Sequence, residues 1–418
     1  MFRYFIIFCT FLLALLLYID RICISVAKAP IVADLQLTEQ QMGWVLSSFA
    51  LGYALLQTPS GRLVDRFGPR RVLSGIVTFW SLLTALTGYA WNYVSLLIIR
   101  FAFGAGEAGA FPGMARATLS WIPMQERGLV TGINFSGSRF GAAFALPGAA
   151  WLIQAYGWRT AFLMLGVVGI GWAVAWWLLF RDDPQQHRLL SRPEKDHILA
   201  HRQQLEPVQL QTEPSDRVLQ KPEVWFAMGQ YFCSNFTFFF ALTWLYPHIQ
   251  EKFSLGAVDA GWLGSIPLLA GAFGNWFSGW LVDTLYRKGH VNSRVIPAAI
   301  GFFLSALGLL LSVWQESVGG AVFFLSIAIF GADMTLPPSW AFCLDIGKER
   351  AGEVSGTMNM AGNLGSFVTG LAFPYLKGWT GSVTPFFFVG AILNLLAAFL
   401  WLRNRRTQPT NMDVAINA

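Results

Sequence analysis

Six ionisable residues stand inside otherwise apolar runs of this chain: Asp20, Arg21, Arg100, Glu107, Arg139 and Asp333. In the middle of a membrane span each costs about 2.5–3.5 kcal/mol on insertion scales, so such residues mark function by default. The plainer alternatives are an ion pair between helices, or a charge near a helix end that reaches the interface. Arg100 and Glu107 are seven residues apart, roughly two helical turns and about 10.5 Å along the axis, so both fall on one face. Gly104 and Gly106 between them leave room for a neighbouring helix or a ligand. Arginine binds a carboxylate through a planar fork and stays charged. A carboxyl group in a low-dielectric cavity can load and release a proton near neutral pH. Together these suit an anion carried with protons, with Glu107 as the proton site. Asp20 and Arg21 are adjacent, point about 100° apart on a helix, and so serve different neighbours.

Other side chains can complete such a site. Tyr53 supplies a hydroxyl. In the second half Ser339, Trp340, Asn359 and Asn363 are the polar or amphipathic candidates. Asparagine donates to and accepts from sugar hydroxyls, and tryptophan offers a flat face for a sugar ring or an aromatic acid. The asparagines would serve equally well as bonds from helix to helix. Arg139 as a second carboxylate clamp would favour a dicarboxylate or an aromatic acid over a monocarboxylate sugar acid. Asp333 has no evident partner in the sequence and is the weaker candidate for a proton site.

The elements that must hold these groups follow from composition. Charged residues make up 12% of the 418 and hydrophobic residues 55%, with a mean hydropathy of +0.49. A soluble domain carries about 25% charge, so this chain cannot coat a soluble surface and reads as an all-α membrane protein. Runs long enough to span, about 20 residues, fall at 4–26, 42–60, 73–91, 94–118, 129–155, 160–180, 225–250, 260–282, 296–315, 320–344, 353–376 and 384–402. The first is too long for a signal peptide, lacks a small-residue cleavage site and carries Asp20 and Arg21 near its end, so it reads as a retained helix. With the N-terminus in the cytoplasm, cytoplasmic segments hold 22 of the 29 Lys and Arg and the opposite face four, which places both termini inside. The net charge of +6 is this loop bias rather than a nucleic-acid patch. Cys9, Cys23, Cys233 and Cys343 lie in or beside apolar runs without metal-ligand spacing and read as reduced.

The chain also repeats itself. GRLVD at 61–65 recurs as GWLVD at 279–283, Glu126-Arg127 as Glu349-Arg350, and GINFSGSRFG at 132–141 as GTMNMAGNLG at 356–365. The polar stretch Arg181–Pro222 divides the runs six and six, giving an N-terminal half at 1–180, a cytoplasmic linker at 181–222 and a C-terminal half at 223–418. Such repeats mark transporters with a midplane site between two halves.

The loop after the second run reads Gly61-Arg62-Leu63-Val64-Asp65-Arg66-Phe67-Gly68-Pro69-Arg70-Arg71. It resembles the signature GxLxDRxGxRR of the major facilitator superfamily. More narrowly the chain resembles the anion:cation symporter family, whose members carry sugar acids and other organic carboxylates. The matching pieces are Asp20-Arg21, Gly52-Tyr53, RFAFGAGEAGAFPG at 100–113, WIPMQERG at 121–128, GWRTAF at 157–162 and MNMAGNLG at 358–365. The resemblance implies the major facilitator fold, twelve transmembrane helices in two pseudo-symmetric halves. It implies Glu107 and Asp20 as the proton-coupling acids, and Arg21 and Tyr53 as substrate contacts. It also implies that Gly61, Asp65, Arg66, Gly68, Arg70, Arg71 and Arg127 form a cytoplasmic latch. Gly61 and Gly68 would make its turns, and Asp65 would accept from a helix N-terminus and from Arg127. Arg139 departs from the family pattern.

The expectation is a proton-coupled symporter of the plasma (inner) membrane, a monomer importing a small organic anion by alternating access. No cofactor, metal, nucleic acid or enzyme activity is expected: there is no GxxxxGK[ST], HExxH or GxSxG, and GAGEAG at 104–109 follows no strand. An antiporter, exporter or anion exchanger shares the fold, but the cationic residues Arg21, Arg100 and Arg139 disfavour cationic drugs. A carboxylate sensor would need an output domain longer than the linker or tail.

Overall fold

The computed structural model describes residues 2–122, 127–187, 189–201, 221–347 and 351–403. Among them there are sixteen α-helices and no strand. The chain forms two compact units, Met1–Leu37 with Ser48–Pro214, and Thr38–Ser47 with Ser215–Ala418. The helices up to the linker are α1 (Phe2–Val26), α2 (Lys28–Leu35), α3 (Glu39–Phe67), α4 (Pro69–Thr87), α5 (Tyr93–Glu107), α6 (Ala110–Trp121), α7 (Arg127–Leu179) and α8 (Arg192–His201). After it come α9 (Pro222–Thr243), α10 (Leu245–Phe253), α11 (Ala257–Arg287), α12 (Val295–Val313), α13 (Val318–Met334), α14 (Leu336–Gly347), α15 (Ala351–Thr380) and α16 (Thr384–Arg403).

These helices lie on the twelve apolar runs, with four breaks and one fusion that chain chemistry explains. A proline has no N–H to give the carbonyl four residues back. Pro30, Pro112 and Pro247 thereby release the carbonyls of Val26, Ala108 and Thr243, where α1, α5 and α9 give way to α2, α6 and α10. Pro337 and Pro338 release Asp333 and Met334, where α13 gives way to α14; the Ser278 hydroxyl on α11 donates to the freed Met334 carbonyl at 2.5 Å. Inside α15, Pro374 releases Gly370, whose carbonyl accepts from the Trp244 indole at 3.3 Å. The reverse case is α7, which joins two runs through Gly157 at φ 77°. Seven segments are long and apolar enough to cross a membrane by length and composition alone. Those built around α3, α4, α9 and α15 fall outside that group.

In the first unit, α3 and α5 touch backbone to backbone. A Cβ on Gly52 would overlap the Phe101 carbonyl, and one on Gly104 the Phe49 carbonyl. α7 meets α1 in the same way, Gly137 against Phe11 and Gly141 against Leu15. In the second unit, Gly365 of α15 abuts the Phe232 carbonyl of α9, and Gly274 of α11 abuts Phe330 of α13. Small residues permit this close approach where no hydrophobic gradient drives helices together.

The described part of the linker docks on the first unit. Trp121 Nε1 donates to the Arg181 carbonyl at 2.8 Å, His187 packs on Phe2 and Trp121, and Glu194 accepts from the Phe2 and Arg3 amides at 3.0 Å each. Those amides open α1 and have no partner inside it, so Glu194 caps the helix from a distant part of the chain. The first half of 181–222 is thus a built element, and residues 202–220 lie outside the described ones.

Candidate functional site

The close contact of α3 with α5 sets Phe49 and Tyr53 beside Arg100, Phe103 and Glu107, and α1 brings Tyr18, Asp20 and Arg21 to the same place. Arg21 Nε donates to Glu107 Oε2 at 2.7 Å. The Arg21 guanidinium is walled by three rings, 5.0 Å from Tyr18, 5.0 Å from Phe49 and 4.8 Å from Tyr53. Arg100 lies over Phe103 at 4.4 Å and Phe49 at 5.4 Å and is 2% exposed. Aromatic faces attract a guanidinium without neutralising it. Glu107 is fully buried, and Asp20 is 5% exposed, facing Trp80 and Thr84 on α4 with Arg100 and Glu107 nearby.

Spacing put Arg100 and Glu107 on one face, and both do enter this cluster. The carboxylate's ion-pair partner, however, is Arg21, 86 residues away in sequence. Arg21 Nη2, Arg100 Nε and Glu107 Oε1 are buried and have no hydrogen-bond partner among the described residues. Buried donors and acceptors are almost always satisfied, so three at one spot mark a place built for a further polar group. Tyr18, Phe49 and Phe103 went unnoticed in the sequence. Their signal was spacing, one turn from Arg21, Tyr53 and Arg100 respectively. Arg139 on α7 is 6% exposed and stands 5.9 Å from the far side of the same cluster, over Tyr18.

The second unit holds neutral polar groups and one buried carboxylate, Asp333. Gln230 on α9 is fully buried: its Nε2 donates to the Ala227 carbonyl, and its Oε1 lies 3.0 Å from Ser339 Oγ and 3.4 Å from Trp401 Nε1. Ser339 is itself fully buried, 2.6 Å from the Thr335 carbonyl, so its hydroxyl is engaged inside the core. Trp340 Nε1 donates to the Tyr231 hydroxyl at 3.3 Å. Asn359 and Asn363 are one turn apart and half-buried, with Asn363 Nδ2 donating to the Asn359 carbonyl at 2.9 Å. Asp333 is 1% exposed, its carboxylate against Gly271 of α11. No group of three or more His, Cys, Asp or Glu that could hold a metal occurs among the described residues, and the four cysteines are free thiols.

The 61–71 segment departs from the expected loop. Gly61 is helical, within α3, and the turn is made by Gly68 alone, at φ 79°. A Cβ there would also strike the Asp182 carboxylate. Asp182 Oδ1 accepts from the Arg70 amide at 2.8 Å and so caps α4. Arg70 Nε and Nη2 donate to the Trp177 carbonyl at 3.0 and 2.8 Å, tying the turn to the end of α7. Arg66 lies over Phe67, and Arg71 is exposed. The side chains of Asp65 and Arg127 lie outside the described residues.

A bundle of apolar helices that buries arginines and acids among aromatic rings has the build of a membrane transporter. The family model "Major Facilitator Superfamily" matches residues 10–370, and the chain belongs to that superfamily. It is 33% identical over 383 residues to the "Probable sulfoacetate transporter SauU" of Cupriavidus necator, covering 90% of this chain and 88% of that protein. It is 30% identical over 396 residues to the "Probable galactarate/D-glucarate transporter GarP" of Escherichia coli (strain K12), with 90% and 88% covered. In solved structures the fold is matched by a bacterial homolog of the human lysosomal transporter Spinster, inward-facing and unoccupied. That likeness has a TM-score of 0.78 at 20% identity and covers 98% of this chain and 99% of that one.

Proposed function

We propose that this transporter imports a small organic anion together with protons. The observation that carries the reading is the buried cluster in which Arg100 Nε, Arg21 Nη2 and Glu107 Oε1 stand unsatisfied around an Arg21–Glu107 ion pair. An anionic group supplies the acceptor that both guanidiniums lack. Protonation of Glu107 frees Arg21 for that anion and turns Glu107 Oε1 or Oε2 into a donor, so proton and anion load together. Asp20 is the second proton-linked acid. Tyr53 steadies the bound group, and Trp340, Asn359 and Asn363 meet the hydroxyl-bearing remainder, with Ser339 holding Gln230 in place. The relatives described as carriers of sulfoacetate and of galactarate or D-glucarate support an acidic substrate.

In this reading the halves 1–180 and 223–418, joined by the linker 181–222, alternate access to the site. Segment 61–71 with Arg127 is the latch, both termini face the cytoplasm, and the protein works as a monomer in the plasma (inner) membrane. The test is uptake of radiolabelled D-glucarate into proteoliposomes. An inward proton gradient should drive accumulation that a protonophore abolishes. Uptake indifferent to the gradient, or outward pumping, would overturn the coupling.

A further inference from the structure

Helix α4 supplies no charged group to the buried cluster, yet it presents a buried donor to it. Trp80 is 1% exposed, and its indole N–H closes no hydrogen bond among the described residues. The Asp20 carboxyl of α1 lies beside it. The ring has little room to turn elsewhere. A Cβ on Gly106 of α5 would meet Trp80 Cβ at 3.4 Å. At the next residue α4 is pinned to α7, where a Cβ on Gly166 would overlap the Ser81 carbonyl. A buried donor without a partner is rare, and here the group next to it is an acid.

Arg100 and Glu107 face Asp20 from α5, the Cys23 thiol from its own helix, and Trp80 and Thr84 from α4. The two α4 side chains differ in what they recognise. An indole N–H only donates, and a hydrogen bond to a charged acceptor is roughly twice as strong as one to a neutral acceptor. A threonine hydroxyl can donate to a carboxylate or accept from the protonated acid; that of Thr84 lies 3.1 Å from the Trp80 carbonyl. The hydroxyl therefore serves both forms of Asp20, whereas the indole favours the charged one. We infer that Trp80 is a positioning residue for proton coupling: it holds the carboxylate form of Asp20 against α4 and gives it up when a proton arrives. The inference rests on Asp20 as a proton-linked acid and adds the group that senses its charge.

The test follows Asp20 by infrared spectroscopy of the purified protein with isotope-labelled aspartate, reading the carbonyl stretch of the protonated acid against pH. Asp20→Asn identifies the band by its loss. Trp80→Phe keeps an aromatic ring and removes the N–H, so the carboxylate loses its donor. The pH of half-protonation should then rise by about one unit, a tenfold change in proton affinity. Thr84→Val removes a group that serves both forms and should move it by less than half as much. Should Trp80→Phe fail to fold, benzothienylalanine at position 80, the same shape with sulfur in place of the N–H, carries the same expectation. An unmoved midpoint in a folded Trp80 variant overturns the inference alone. So does an equal shift in Thr84→Val, which would trace the effect to repacking of α4. Absence of an Asp20 band at any pH in the unaltered protein overturns it together with Asp20 as a proton-linked acid.

Discussion

The first unit buries arginines and acids among aromatic rings, whereas the second buries one acid, Asp333, beside neutral side chains that bond in pairs: Gln230 with Ser339, Ser234 with Thr335 and Thr237 with Asn394. Ser234 Oγ lies 2.7 Å from Thr335 Oγ1, and Asn394 Nδ2 donates to Thr237 Oγ1 at 2.7 Å. Both units use glycine-against-backbone packing to bring helices together, so the repeated scaffold is shared and the chemistry laid on it is not. A charged group can bind an ion or a proton; neutral amides and hydroxyls can shape and select but cannot follow a proton gradient. In the proposed reading, coupling falls to the first unit and recognition to both.

This contrast breaks most easily at Arg100. Arg100→Ala removes a charge-assisted partner of the anion, worth about 1.5–3 kcal/mol, and should weaken glucarate binding by about ten- to a hundredfold. Asn363→Ala should cost only a few fold in the same titration. Equal losses would erase the division. Next in size, Gly104→Ala forces α5 away from α3, since a Cβ there overlaps the Phe49 carbonyl. Overpacking of this kind costs about 1–3 kcal/mol, so the melting temperature in detergent should fall and binding weaken with it. Ser339→Ala, in the neutral network, should cost about 1 kcal/mol of stability and leave affinity nearly unchanged. A large loss of affinity at unchanged stability would make Ser339 a direct contact.

The smallest effect concerns pH at the linker. Burial alone would raise the Glu194 carboxyl, but the Arg3 and Phe2 amides outweigh it and hold it below its ordinary value of 4.5. An acid lowered on folding contributes stability above its unfolded value, and the contribution disappears as pH falls through the folded one. Hydrogen exchange at Phe2 and Arg3 should thus quicken as pH drops below about 4.5 relative to the intrinsic rate. The start of α5, where the Ser95 amide donates to the neutral Asn92 Oδ1 at 2.8 Å, should show no matching change. Glu194→Gln should abolish the difference.

Much of the fold was legible because apolar runs of spanning length admit few readings. The breaks were legible in principle, since Pro30, Pro112, Pro247 and the Pro337–Pro338 pair each stand three to five residues beyond a helix end. Hydropathy smooths over them, and the fusion at Gly157 looks like a boundary for the same reason. Within the site, charges buried in spans stand out in sequence, and Asp20, Arg21, Arg100, Glu107 and Arg139 all lie in one unit. Their pairing was not legible: helical spacing relates Arg100 to Glu107, but only packing of α1 against its neighbours brings Arg21 to the carboxylate. Asp182 as the cap of α4 was equally hidden, because it returns from the far end of α7.

In the proposed reading, Glu107 carries the proton that travels with the anion. Proteoliposomes containing Glu107→Gln test it directly by measuring gradient-driven uptake and exchange of internal for external substrate side by side. Glutamine has the shape and neutrality of the protonated acid, so binding and exchange should persist while accumulation driven by an inward proton gradient collapses. Accumulation at the unaltered rate would contradict the claim, make the Arg21–Glu107 pair structural and move the coupling to Asp20.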